Sequence, residues 1–111
     1  MERGRIEIEG TGLTNGHPPI IISAKMATGT VCAMNGILSL DQGTGEFEAF
    51  DFTEPAGAAC IALETITAST TAAKVLLHGT FDGGMAAKAD GSALTAAELA
   101  AVQANSQIYF V

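Results

Sequence analysis

The chain has 111 residues and a formal charge of −7, with 12 acidic side chains against five basic ones. That balance excludes a nucleic-acid surface, because phosphate binding needs clustered Lys and Arg, and here they are scattered at positions 3, 5, 25, 74 and 88. No apolar run approaches the ~20 residues that span a bilayer, and Met1-Glu2-Arg3 lacks the cationic and apolar regions of a signal peptide, so no membrane partner and no export are expected.

One domain is expected at this length. Hydrophobic residues make up 48% of the chain, but twenty residues are Ala, so the core that can be built is thin. A thin core in a small domain favours stabilisation by like copies, and an oligomer is expected.

In chain order, Arg5-Ile6-Glu7-Ile8-Glu9 alternates with a period of two, placing Ile6 and Ile8 on one face and three charges on the other, as in a strand with one covered face. Behind it come Gly10, Gly12, Gly16 and the pair Pro18-Pro19, with Leu13 as the one sizeable apolar residue. Such a stretch has too little to bury on its own, and residues 2–20 extended reach roughly 60 Å. Residues 1–19 are therefore expected to form an extended arm, and residues 20–111 a single β-rich body.

The body opens with a strand at 20–23, followed by strand signals at 28–34 and 36–40. The latter leads through Asp41-Gln42-Gly43-Thr44-Gly45 into a strand at 46–52, a hairpin around a Gly-rich turn. Further strands are expected at 60–67 and at 74–81, where Gly79 marks a bulge or a close backbone approach. Residues 82–92 carry no period and form a loop. Thr95 and Glu98 have the spacing of a capping box for an Ala-rich helix to Ala104, with Leu94, Leu99 and Val102 on its apolar side. Asn105 ends the helix, and residues 106–111 close the chain as a strand. The expected fold is mainly β with one short helix near the C-terminus.

Chemistry is sparse. His17 and His78 show no metal-ligand spacing, and Asp41, Asp51, Asp82 and Asp90 all fall at turns, where the carboxylate commonly bonds the local backbone. Gly10-Thr11-Gly12 lacks the third Gly and the helix of a dinucleotide fingerprint, and 41–46 lacks the alternate oxygen ligands of a calcium loop. No serine stands in a nucleophile elbow. Cys32 and Cys60 are compatible with two buried thiols or with a disulfide. Neither a cofactor nor a metal is implied, and the residues read as a non-enzymatic protein. The competing reading is a small β-fold enzyme or ligand-binding domain using Asp51, His78 and Asp82 at a subunit cleft. A third is a subunit of some other self-assembling structure.

An extended segment that adds to a sheet edge gains main-chain hydrogen bonds and side-chain pockets together. Arg5, Ile6, Glu7, Ile8, Glu9 and Leu13 are the arm residues expected to make that contact on another polypeptide.

From Ser23 onward, the order of short motifs resembles the small head decoration proteins of lambda-like tailed bacteriophages. The motifs are Ser23-Ala24-Lys25, Glu46-Phe47-Glu48-Ala49-Phe50-Asp51, Ala58-Ala59-Cys60-Ile61-Ala62-Leu63, a Thr-rich turn, His78-Gly79-Thr80-Phe81, a long loop, a helix and a final apolar strand. The likeness spans roughly four fifths of the chain. It departs at Cys60, where Gly is usual, in residues 82–92, which lack bulky apolar and Pro residues, and in the arm. What the resemblance implies is a small β-clip-like body, a homotrimer on the outside of the expanded capsid, and an arm that pairs with the major capsid protein. The location it implies is the virion surface, after assembly in the host cytoplasm.

Overall fold

A computed structural model of the chain describes residues 19–53 and 58–111. The expected arm, with Arg5, Ile6, Glu7, Ile8, Glu9 and Leu13, lies outside the described residues but for Pro19, and so does His17.

The body is mainly β with one short helix. The elements are β1 (Ile20–Lys25), β2 (Ile37–Asp41), β3 (Glu46–Ala49), β4 (Ala59–Ala62), β5 (Ala72–Phe81), α1 (Ala96–Ala104) and β6 (Gln107–Phe110). They form one sheet in the order β1-β5-β4-β2-β3, with β6 added to β5. Every pairing is antiparallel except β5 with β6. A bridge between Met26 and Phe47, with the Ala27 amide donating to the Phe47 carbonyl at 2.9 Å, brings the two ends of the order together and curls the sheet round on itself.

The period of two along each strand distributes apolar residues to both faces. Leu38, Cys60, Ala62, Ala73 and Val75 point into the curl with Ala24, Met26, Cys32, Phe47 and Ile66. Their sequence neighbours Ile37, Ala59, Ile61 and Leu76 form a second cluster with Phe50, Ala86, Val102 and Ile108. β4 is therefore buried along its whole length, and its Ala59 and Ala62 let neighbouring layers approach the sheet closely.

The helix starts where its capping box predicts. The Glu98 amide donates to Thr95 Oγ1 at 3.2 Å and the Thr95 amide donates to Glu98 Oε1 at 2.8 Å. Val102 is fully buried, and Leu94 and Leu99 pack beside it. The hairpin of β2 and β3 also stands as expected, with Asp41 opposite Glu46.

Three expectations are corrected. Residues 28–34 are not a strand: Gly29 and Asn35 take positive φ of 83° and 69°, turning the chain on either side of Cys32, which makes a single bridge to Ile66. The strand expected at 60–67 stops at Ala62 because Glu64 ends the ladder. Its Oε2 takes the Lys74 amide at 2.8 Å, the donor that a continuing strand would have used. The strand expected at 46–52 stops at Ala49; Phe50 turns into the second cluster and meets Phe52 edge to face at 4.8 Å. In β5 the register slips at Leu77, opposite Ile20 and Ile21, while Gly79 takes a positive φ of 139° within the strand.

Candidate functional site

The end of the sheet where the chain enters the body carries exposed apolar side chains. β1 pairs with β5 through one edge, and along its other edge no strand pairs with Ile20–Lys25 among the described residues. Ile20, Ile21 and Ile22 are 48%, 52% and 36% exposed, whereas Ala24, two residues further on, is buried. Three consecutive isoleucines in a strand must present apolar surface to both faces. Here the inner cluster covers the β1 face only from Ala24 onward.

Leu77 of β5, the strand paired with β1, forms one wall of an open groove of about 510 Å³. Ala58 and Ala59 at the start of β4, Leu77 in β5 and Ala104 at the end of α1 supply its apolar lining. Gln42, Asn105, Ser106 and Gln107 supply its polar lining. The Ala59 amide donates to the Asn105 carbonyl at 2.9 Å, and Asn105 Nδ2 donates to the Ala101 carbonyl at 2.8 Å, which ties the helix end to β4 and fixes one wall. Leu77 is the residue displaced by the register slip, so the irregularity that interrupts the β1–β5 ladder also shapes the groove.

The charged side chains around the sheet pair locally. Lys25 Nζ lies 3.2 Å from Glu46 Oε2 on the surface, and Asp41 Oδ1 accepts the Gly43 amide within the hairpin turn. A second ion pair, Lys88 Nζ to Glu98 Oε2 at 2.8 Å, fastens loop 82–92 to the first turn of α1. Their hydrogen bond raises the Lys88 pKa and lowers that of Glu98.

Of the residues of the catalytic reading, His78 lies in β5 and Asp82 directly follows that strand, whereas Asp51 stands apart from them in the sheet order. Asp51 follows β3 and His78 sits in β5, with β4 and β2 between those strands in the sheet order. Asp51 Oδ1 accepts from the Thr53 amide and hydroxyl at 2.9 and 2.6 Å, and Asp82 Oδ1 accepts from the Gly84 amide at 2.8 Å. Both carboxylates are thus engaged in their own turns. Among the described residues no group of three or more His, Cys, Asp or Glu could hold a metal ion, and no helix is long and apolar enough to cross a membrane.

The two cysteines are free and buried in the inner cluster. Burial pushes the Cys32 thiol up to about 11 and the Cys60 thiol up to about 12, with the charge of Cys32 adding to the latter. A nucleophile needs the opposite shift.

Sequence reasoning placed a strand at 20–23 but missed that its isoleucines are exposed, and it missed the groove. The signal for the first was present in the run Ile20-Ile21-Ile22 itself, which no one-sided strand could bury. The groove had none, because its walls come from four separate elements. No protein-family model matches the chain, and no curated protein matches it.

Proposed function

We propose that the chain is a non-enzymatic capsid decoration protein that binds as a trimer to the outside of an expanded icosahedral phage head and stabilises it against the outward load of packaged DNA. In this reading Arg5, Ile6, Glu7, Ile8 and Glu9 add as a strand to the major capsid protein, and Leu13 belongs to the arm that carries them. The observation that supports it best is the exposed isoleucine run at the open edge of β1, directly behind the arm. Apolar side chains on an unpaired edge mark a surface that another polypeptide covers.

The energetics favour several arms over one. Burial of Ile6 and Ile8 contributes about 1.5–3 kcal/mol each, and fixing the arm backbone costs about 1–2 kcal/mol per residue. A single arm binds marginally. Three arms on one particle reinforce each other, because after the first has bound the others act at high effective concentration.

Deleting residues 2–19 and measuring co-sedimentation with expanded, undecorated lambda-like heads tests the proposal. Loss of binding by a still-folded body is expected. Undiminished binding would remove the arm from the mechanism.

A further inference from the structure

We propose that the groove lined by Leu77, Ala58, Ala59 and Ala104 is the seat of Leu13 of the same chain. This rests on the decoration reading only in taking residues 5–9 as the outward tether; the seat itself requires no shell.

Position is the first reason. Ile20 pairs with His78, the sequence neighbour of Leu77, so the chain enters β1 about one strand spacing, ~4.8 Å, from the β5 residue of the groove lining. Reach is the second. The six residues 14–19 separate Leu13 from Ile20 and span at most ~20 Å. They contain Asn15-Gly16 and Pro18-Pro19, which favour a bent path back onto the body.

Chemistry is the third. The lining of Ala58, Ala59, Leu77 and Ala104 is apolar and lacks a charged side chain, and Leu13 is the one sizeable apolar residue between Ile8 and Ile20. Ile6 and Ile8 lie further out, among Arg5, Glu7 and Glu9, whose charges the groove does not match. At about 510 Å³ the groove holds more than one side chain, so Leu13 enters together with its flanking backbone. A tether of six residues also keeps Leu13 at millimolar effective concentration, which favours the same chain over a second copy.

The chain contains no Trp, so Leu13→Trp reports the environment of this position alone. In the full-length protein without shells, Leu13→Trp is expected to show blue-shifted emission protected from acrylamide. Ala104→Arg, or independently Ala58→Arg on another element, is expected to abolish both the shift and the protection while circular dichroism stays unchanged. Emission typical of exposed Trp with the groove open would overturn the proposal, as would protection that survives both blocking variants. Co-refolding the Leu13→Trp/Ala104→Arg chain with a Leu13→Ala chain, whose groove is open and empty of leucine, is expected to leave the emission exposed. Recovery of protection there would assign the groove to a second copy and overturn the same-chain seat. Shell binding enters none of these readouts, so the seat and the tether fail separately.

Discussion

Gly36 stands where a Cβ would lie 2.5 Å from Cys32 Sγ and 2.7 Å from the Ala33 carbonyl. Its own carbonyl accepts the Ala62 amide at 2.9 Å, so the backbone cannot retreat without breaking the link to β4. Gly36→Ala is expected to destabilise the body by about 1–3 kcal/mol, read as a lower urea midpoint at unchanged slope. The buried thiols give a second expectation. An ordinary cysteine titrates at 9.0, whereas Cys32 and Cys60 titrate at about 11 and about 12 in the folded chain. The unfolded chain therefore loses these protons first as pH rises. The thiols' contribution is fully present below pH 9 and is lost progressively as pH climbs through the folded values. Urea unfolding of the natural chain between pH 8 and 11 should show this decline, and Cys32→Ala/Cys60→Ala should show a smaller one. Equal declines would mean the thiols are not shielded.

Among the elements, α1 depends on its first turn for more than its own hydrogen bonds. Glu98 closes the capping box with Thr95 and also holds Lys88 of loop 82–92, which covers the second cluster through Ala86. Thr95→Ala is expected to cost about 1 kcal/mol in denaturant unfolding. β1 behaves differently because its isoleucines contribute little to the body that is seen. Ile21→Lys is expected to leave stability within about 0.5 kcal/mol and to weaken shell binding; a large loss of stability would show that Ile21 is covered within the body.

These elements differ in how much the sequence discloses. The β2–β3 hairpin and α1 were legible because a period of two around a Gly-rich turn, and Thr95 three residues before Glu98, are local signals. The bounds of β4 were not, since Glu64 ends that strand by reaching an amide ten residues away. Nor was the parallel return of β6 along β5, which depends on the helix carrying the chain back across the sheet. At the site, the strand opening at Ile20 was readable, but the exposure of Ile20–Ile22 depends on where the covering layer stops.

For the whole molecule, two apolar clusters on opposite faces of one sheet give a folded body, and Ile20, Ile21 and Ile22, where the chain enters it, belong to its exposed apolar surface together with Val31, Met34, Met85, Tyr109 and Val111. The account turns on residues 5–9 finding their hydrogen-bonding partner on another polypeptide. Amide hydrogen exchange of those residues, measured in the free protein and again on expanded shells, tests this most directly. Rapid exchange in solution with strong protection on the shell is predicted. Protection already complete in the free protein, or exchange equally rapid on the shell, would contradict it.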